Sequence, residues 1–311
     1  GCGILGLRRT KLFKNKFKLI ACADSNKLKL NKFSKKLFLT NNWSDLLKLK
    51  NLDAVFVATY HSDQSEIIKR FVKKKIHVFC EKPGGVSALK TKQIINICKK
   101  YKNINIKFGY NHRFHPAFIL AKKLISNNSI GKILYLRAIY GHGGRKNYEK
   151  EWRFKKKLSG GGELIDKGSH LIDLSRLFLG KLDVYSSYLK TYFWNTKLED
   201  NCFLTLKNEK NNLAFLHASS TEWKNKFVFE IFCKFGKLEI IGLGKSYGKQ
   251  SLTVYKMSKN MGIPKKKIFN FPKSLIDKAW KIEVDDFYNS ILKSKKSNPN
   301  INDVYENLKI I

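Results

Sequence analysis

Short apolar segments alternate with amphipathic ones along the first 110 residues, and this alternation constrains the fold more than any other feature. Strand patterns are predicted at residues 17–23, 53–59, 76–80 and 104–109. Helix patterns are predicted at residues 63–75 and 87–101. Strands joined by helices of this length are typical of βαβ units and a parallel sheet. The sequence therefore predicts an N-terminal α/β domain of Rossmann type over residues 1–113.

The pattern changes after residue 114. A helix at 115–127, a strand at 132–140 and a helix at about 162–178 are followed by closely spaced strand patterns. These five strand patterns cover residues 182–193, 201–207, 213–220, 227–234 and 237–241. Consecutive strands with short turns indicate an antiparallel or mixed sheet. Two helix patterns, at about 275–292 and from about 302, complete a predicted second α+β domain over residues 114–311.

A glycine motif, GCGILG, occupies the first six residues. In a GxGxxG turn, Gly1 allows the tight bend, Gly3 lets a pyrophosphate approach the backbone, and Gly6 lets the next helix pack closely. A strand pattern then ends at Asp24, where a carboxylate accepts hydrogen bonds from the adenosine ribose and repels a 2′-phosphate. The pairing predicts NAD rather than NADP. The predicted cofactor contacts here are Gly1, Gly3, Ile4, Leu5, Gly6 and Asp24. The alternative is a glycine-rich turn beside a surface aspartate.

The glycine motif has no strand pattern before it. A parallel sheet without its central first strand would be badly compromised, so we expect the sequence to be truncated at its N-terminus.

Two further motifs carry candidate chemistry. In CEKPGG, Lys82 follows a predicted parallel strand, at the sheet edge where such folds bind ligands. A lysine there can hold a substrate oxygen; a solvated strand end is the alternative. In GGGELIDKGSHLID, Asp166 and His170 share a helix face, and a histidine held by an aspartate suits general acid/base work. A simple polar pair is the alternative. The remaining histidines lack metal-ligand spacing, so no metal is predicted.

The chain has 311 residues and a formal net charge of +38, which invites a nucleic-acid interpretation. However, 54 of its 62 basic residues are lysines spread over nearly every segment, whereas nucleic-acid readers rely on arginine in local patches. We attribute the excess to drift toward A/T-rich codons, since Asn and Ile are also abundant. A functional basic surface is the alternative, and no specific nucleic-acid partner is predicted.

The six cysteines form no CxxC pair, which favours reduced thiols in a cytoplasmic protein. Lysines interrupt every apolar run before it reaches 18 residues, so no membrane span is predicted.

The order of these motifs resembles the Gfo/Idh/MocA family of NAD(P)-dependent oxidoreductases. The similarity rests on GxGxxG, the acidic strand end, EKP and the GGGELIDKGSHLID block, with VATYHSDQ and GYNHRFHP between them. It covers nearly the whole chain. The chain departs from the family at Thr59-Tyr60-His61, where the family often has a Thr-Pro pair followed by His, and it stops at ENLKII, where the family usually continues its last helix.

The resemblance implies a Rossmann domain and a C-terminal domain with a large, mostly antiparallel open sheet that often forms a homo-oligomer interface. It implies that Lys82, Asp166 and His170 are catalytic. It also implies that Thr59, His61, Glu81 and Lys82 lie along the nicotinamide half of the cofactor. We expect His170 to take a hydroxyl proton from a carbinol while Lys82 holds the same oxygen.

The implied substrate is a sugar, nucleotide sugar or cyclitol, in a role such as polysaccharide biosynthesis. Arginines and aromatics suit such ligands, with packing or dimer contacts as the alternative for those in the loop. The candidate substrate contacts are Asn111, Arg113, Arg145, Tyr148, Trp152 and Arg153. Asp173 is interpreted as structural. Two other functions remain open: a non-catalytic NAD- or sugar-sensing protein on the same fold, and a basic nucleic-acid binder.

Overall fold

The computed structural model describes residues 1–13, 15–101, 103–258 and 260–311, which form two compact units. The first unit contains Gly1–Tyr110 and Trp280–Lys309, and the second contains Asn111–Ala279 and Ile310–Ile311. This division differs from the predicted boundary at 113/114, because the C-terminal helices return to the first unit. Phe287 from this tail packs 5.6 Å from Phe79 in ring-centroid distance, a long-range contact that no local pattern announces.

The elements match most of the predicted ones in type and order. The helices are α1 Ile4–Phe13, α2 Lys27–Leu30, α3 His61–Lys73, α4 Ala88–Cys98, α5 Pro116–Ser126, α6 Lys156–Ser159, α7 Ser169–Leu179, α8 Lys273–Leu292 and α9 Ile301–Ile310. The strands are β1 Ala21–Ala23, β2 Phe38–Thr40, β3 Ala54–Val57, β4 His77–Cys80, β5 Ile106–Phe108, β6 Ile133–Gly141, β7 Asp183–Lys190, β8 Asn201–Lys207, β9 Leu213–Ser219, β10 Lys226–Cys233, β11 Gly236–Ile241, β12 Gln250–Lys256 and β13 Lys265–Phe271.

The parallel pairing predicted for the first unit is present. Strands β3, β4 and β5 pair in parallel, with Val57, Cys80 and Phe108 in register at their carboxyl ends. Strand β4 is the central one, and its apolar residues are buried because helices and neighbouring strands cover it. The residues that follow these three strands therefore emerge along one edge.

Strands β1 and β2 form a second, separate parallel pair in this unit. A cavity of about 750 Å³ is lined by residues of both β1 and β3, together with apolar side chains such as Phe13, Phe56 and Phe79. The predicted parallel sheet is thus divided into a two-stranded and a three-stranded part.

The second unit is built on an eight-stranded sheet in the order β13-β12-β11-β10-β6-β9-β8-β7. Every neighbouring pair is antiparallel except β6 and β9. Helices α5 and α7 contribute Phe118 and Leu174 to the core on one face. Strands β12 and β13 were not predicted from the sequence. The run of three lysines that opens β13 hides the alternation expected of a strand.

The other face of this sheet carries exposed aromatic side chains. Tyr188, Phe203 and Phe215 are 55%, 40% and 44% exposed. The strand register places all three on one face, because Tyr188 pairs with Phe203 and Phe215 pairs with Thr205, two residues beyond Phe203. We call these three residues the outer aromatic patch.

No helix in the described part of the chain combines the length and apolarity needed to cross a membrane. The six cysteines are all free thiols. Among the described residues, no group of three or more His, Cys, Asp or Glu side chains is arranged to hold a metal ion.

Candidate cofactor and catalytic site

The glycine motif forms a tight turn into α1. An ideal Cβ on Gly6 would lie 2.0 Å from the Gly1 carbonyl oxygen, so only glycine lets the helix start this close to the turn. Gly3 differs, because a Cβ there would meet nothing within 4 Å. The turn therefore presents open backbone at Gly3 beside the N-terminus of a ten-residue helix, which is the surface that a pyrophosphate needs.

Asp24 follows β1 and closes onto this turn. Its Oδ2 accepts a 2.7 Å hydrogen bond from the Cys2 amide, and its Oδ1 accepts one of 2.9 Å from the Asn26 amide. Burial opposes ionisation of the Asp24 carboxyl, but these two N–H donors outweigh it and hold its pKa below its usual range. Asp24 is therefore an ionised acceptor hydrogen-bonded to the glycine turn, and its role as a ribose contact stays a prediction.

The EKPGG loop begins where β4 ends. The Glu81 amide donates to the Val57 carbonyl at 2.8 Å, so Glu81 still follows the sheet, whereas Lys82 leaves it partly exposed. The Gly84 amide donates to Gln64 Oε1 at 2.9 Å, which ties the loop to α3. Gly84 has φ +91° and its Cβ position lies 2.5 Å from the Phe108 ring, so a larger residue would not fit there.

Asp166 and His170 lie four residues apart in the second unit, as predicted, but the helix between them is not uniform. Leu164–Gly168 is a π-helical turn that leads into α7. Such turns are rare and occur frequently at functional sites. Both side chains are largely buried, with Asp166 7% and His170 6% exposed.

The Asp166 carboxylate is held by two cations. Lys167 Nζ lies 2.6 Å and Arg153 Nε 3.3 Å from its Oδ2. Burial opposes the charge on Lys167, but the carboxylates of Asp166 and Glu163 outweigh it and raise the pKa of the lysine. This arrangement favours an ionised Asp166 that orients its neighbours, and Lys167 stays cationic across the physiological range.

His170 belongs to a group of three neighbouring imidazoles. Its ring centroid is 4.1 Å from that of His112, which in turn is 5.2 Å from His115. Asn111 Oδ1 lies 3.1 Å from His112 Nδ1. Asn111 and His170 are therefore linked through His112, within one unit.

The loop after β6 places its arginines around one acid. Arg145 binds both Glu151 carboxylate oxygens at 2.6 Å, and Arg153 Nη1 lies 3.2 Å from the same side chain. Trp152 lies under the Arg153 guanidinium, 4.9 Å from its carbon to the ring centroid. Through Arg153 this loop reaches Asp166. Three of the candidate substrate contacts therefore lie in the loop that contacts this predicted catalytic residue.

Comparison with known sequences decides the family. A family described as "Oxidoreductase family, NAD-binding Rossmann fold" matches residues 1–110, and one described as "GFO/IDH/MocA C-terminal domain" matches residues 118–239. The chain belongs to the Gfo/Idh/MocA family. Its N-terminal unit is an NAD-binding Rossmann domain, and the open Gly3 backbone with the ionised Asp24 fits that cofactor.

Two curated members of the family are similar over part of the chain. Levoglucosan dehydrogenase of Pseudarthrobacter phenanthrenivorans is 31% identical over 155 residues, which is 49% of this chain and 40% of that protein. Myo-inositol 2-dehydrogenase of Thermotoga maritima is 32% identical over 122 residues, 38% of this chain and 36% of that protein. The matched part therefore spans less than half the length of these relatives.

Solved structures share the fold over nearly the whole chain. Levoglucosan dehydrogenase in complex with NADH and levoglucosan superposes with a TM-score of 0.86 at 20% identity, covering 99% of this chain and 92% of that one. Myo-inositol 2-dehydrogenase from Lactobacillus plantarum gives 0.81 at 23% identity, covering 100% and 93%. The predicted fold class, a parallel Rossmann-type sheet followed by a large open sheet, is confirmed.

Two of the candidate substrate contacts, Tyr148 and Arg113, bind acidic side chains of the protein itself. Tyr148 is only 1% exposed, and its hydroxyl donates to Glu163 Oε1 at 3.0 Å. Arg113 is held by Asp173 through two hydrogen bonds of 2.7 and 2.6 Å, both within buried side chains. Both side chains are held by acids of the same unit, and their role as substrate contacts stays a prediction. The bidentate pair also supports the structural interpretation of Asp173.

Several residues around Asp166 were not predicted from the sequence. Lys167 lies inside the quoted DKG segment, and its position beside Asp166 was a usable signal. Glu163, in the preceding GGGE, was equally visible. His142 had no signal, because its partner Tyr148 is found only once the loop after β6 has folded back.

His142 makes the stability of this protein sensitive to acid. Its Nδ1 accepts from the Gly144 amide at 2.9 Å and its Nε2 lies 3.3 Å from the Tyr148 hydroxyl. Burial, and then the charge of Lys167, lower the pKa of His142 to about 3. The unfolded chain takes up a proton near pH 6.5 and the folded protein does not, so stability falls as the pH drops below about 6.5.

Replacing His142 by glutamine removes the contribution of this histidine to the pH dependence of stability. Between pH 6.5 and 5 we expect the parent protein to lose about 2 kcal/mol more stability than His142→Gln. Urea denaturation at three pH values measures the difference. Tyr148→Phe keeps the histidine and should keep the parent slope. Equal slopes for the parent and His142→Gln would refute the assignment.

Proposed function

We propose that this protein is an NAD-dependent dehydrogenase acting on a carbinol carbon of a sugar or cyclitol. The observation that carries the proposal is the conjunction of a dinucleotide turn closed by ionised Asp24 with the Lys82 and Asp166–His170 motifs of the family. Relatives whose names are levoglucosan dehydrogenase and myo-inositol 2-dehydrogenase support a polyhydroxylated substrate. A nucleotide sugar, and a role in polysaccharide biosynthesis, remain predictions within this class.

Bound NAD supplies the acceptor for the hydride. His170 acts as the general base at the substrate hydroxyl, a role that suits a group whose ordinary pKa lies near neutrality. Lys82 stabilises the charge that develops on the same oxygen. Asp166, ionised beside Lys167 and Arg153, orients the polar groups around it rather than transferring a proton.

Cofactor choice tests the proposal directly. We expect calorimetry to show NAD binding at least tenfold tighter than NADP binding, because the Asp24 carboxylate repels a 2′-phosphate. Asp24→Ser should lose most of that preference by weakening NAD and admitting NADP. Asp63→Ser, on the exposed first turn of α3, is the matched control and should leave both affinities unchanged. Equal affinities in the parent protein would contradict the assignment of Asp24.

An absorbance screen for NADH over hexoses, cyclitols and nucleotide sugars then assigns the substrate class. Turnover on one class supports the dehydrogenase. Tight NAD binding without turnover on any class favours the sensor hypothesis. A nucleic-acid role requires DNA binding that persists near physiological salt with a steep salt slope.

Homo-oligomerisation through the large sheet stays a prediction. The outer aromatic patch supports it, because contiguous exposed aromatics are unusual on a monomer surface. Sedimentation velocity on the parent and on a Phe203→Asp variant would decide it. Six free thiols are consistent with the predicted cytoplasmic location.

A further inference from the structure

Arg9 is a fully buried arginine in α1 that the glycine motif and the proposed chemistry leave without a role. It is 2% exposed. Its Nε donates to Glu81 Oε1 at 2.6 Å, and its Nη1 donates to Glu283 Oε2 at 2.6 Å. Both carboxylates are buried, with side chains 8% and 0% exposed. One guanidinium thus connects three separate elements of the first unit.

The aromatic surroundings of Arg9 restrict where its guanidinium can lie. Its carbon is 4.5 Å from the ring centroid of Phe79 and 4.4 Å from that of Trp280. Phe79 precedes the EKPGG loop in β4, and Trp280 lies one turn before Glu283 in α8. Cation–π contacts and ion pairs therefore fix the same group from both sides.

This cluster is arranged for position more than for stability. A buried ion pair seldom stabilises a fold more than apolar residues of the same size would. Within the described residues, Arg9 Nη2 and Glu283 Oε1 have no hydrogen-bond partner. Burial also raises the pKa of Glu283, opposed by the charges of Arg9 and Lys107. Burying these charges is costly, and some of their polar atoms lack hydrogen bonds. The cluster is therefore better explained by the residue that it holds in position.

What Arg9 holds in place is the residue directly before Lys82. The backbone of Glu81 is fixed by the Val57 carbonyl, and its side chain is fixed by Arg9. Without the guanidinium, the carboxylates of Glu81 and Glu283 would both be buried with no cation between them. Their repulsion and desolvation would drive Glu81 outward and carry Lys82 with it.

We propose that Arg9 is a positioning residue, which sets the location of Lys82 by clamping Glu81 between the dinucleotide-binding helix α1 and the C-terminal helix α8. The inference rests on the proposed function for the role of Lys82, but the position of the loop is measurable without activity. Arg9→Lys keeps the positive charge but loses the planar guanidinium that donates to two carboxylates in different directions. The position of Lys82 should therefore be kept only in part.

The test compares Arg9→Met, Arg9→Lys and a matched control. The control is Lys107→Met, because Lys107 is also fully buried in the first unit and forms its ion pair with Asp286 of α8 at 2.6 Å, whereas Arg9 forms the ion pair with Glu81. Hydrogen exchange read by mass spectrometry should show the peptide covering 81–86 exchanging more than tenfold faster in Arg9→Met. In Lys107→Met the same peptide should exchange less than threefold faster than in the parent protein. Arg9→Lys should lie between them.

Turnover gives the second measurement. We expect Arg9→Met to lower kcat about 100-fold, because misplacing a reacting group by about 1 Å has effects of this size. The KM and Kd for NAD should change less than threefold, and Arg9→Lys should recover about tenfold of the loss. If Arg9→Met does not fold, Glu283→Gln removes one carboxylate of the clamp and should show the same loop exchange at smaller amplitude.

The outcomes separate the two proposals. If the loop exchanged as fast in Lys107→Met as in Arg9→Met, the positioning role of Arg9 would be overturned. The loss of any buried ion pair would then have the same effect on the loop. Unchanged exchange in every Arg9 variant would overturn it as well. Fast exchange in Arg9→Met with full activity in Lys82→Ala would leave the clamp standing and reject the catalytic role of Lys82.

Discussion

Replacing His170 by alanine should lower turnover about 1,000-fold while the affinity for NAD stays within a factor of three, because a positioned general base contributes about 10²–10⁴ to rate. The imidazole lies on α7, in the second unit, whereas the glycine turn and Asp24 that bind the dinucleotide lie in the first. Loss of the base therefore removes chemistry and spares cofactor binding. Steady-state kinetics with calorimetry of NAD binding measures both quantities.

Lys82→Ala should give a loss of similar size, because an oxyanion-stabilising donor contributes about 10²–10³. Ser175→Ala is the control, since Ser175 is fully buried on the same helix as His170 and is assigned no part in catalysis. It should leave kcat within threefold. A parallel loss of turnover and of NAD affinity in His170→Ala or Lys82→Ala would mean that these residues maintain the structure rather than the reaction.

Asp173→Ala should lower the free energy of unfolding by about 3–5 kcal/mol, because it leaves the buried Arg113 guanidinium without its bidentate partner. The pair joins the 3₁₀ turn Asn111–Phe114 to α7, at distances of 2.6 and 2.7 Å. Urea denaturation of the parent protein and the variant measures this loss in the free energy of unfolding. The effect is large because a charged group remains in a site that water does not reach.

The loop after β6 provides a matched control for this prediction. Arg145 and Glu151 form the same bidentate geometry at 2.6 Å, but the arginine side chain is 59% exposed. Glu151→Ala should therefore change the free energy of unfolding by less than about 1 kcal/mol, since water solvates the released charge. Similar losses for both variants would show that burial does not decide the strength of these pairs.

The elements that the sequence predicted well are those with strong local periodicity. Strands β3 to β5 and helix α3 lie within a few residues of their predicted positions, because buried parallel strands read as apolar runs and α3 carries its apolar residues on one face. Strand β13 was missed for the opposite reason. It is an edge strand of the sheet, and its lysines suit an edge exposed to solvent, so it lacks an apolar alternation.

The candidate site divides in the same way. Asp24, Lys82, Asp166 and His170 were predicted from motifs, because each motif requires a given residue type at a given spacing along the chain. The roles of Tyr148 and Arg113 stay predictions, since arginines and aromatics look alike in sequence whether they face a ligand or a buried carboxylate. Their partners in the fold, Glu163 and Asp173, could not be predicted from the sequence.

The sequence by itself determined the dinucleotide turn, the acidic strand end and the two motifs proposed to be catalytic, because these depend on short-range geometry that a few adjacent residues specify. Only the tertiary structure decided which charges are buried together. Arg9 and Glu283 are 274 residues apart in the chain and 2.6 Å apart in the fold. No local pattern encodes that contact, because it forms when the C-terminal helix α8 packs back onto the first unit. Burial then turns an ordinary arginine into a clamp on the residue before Lys82.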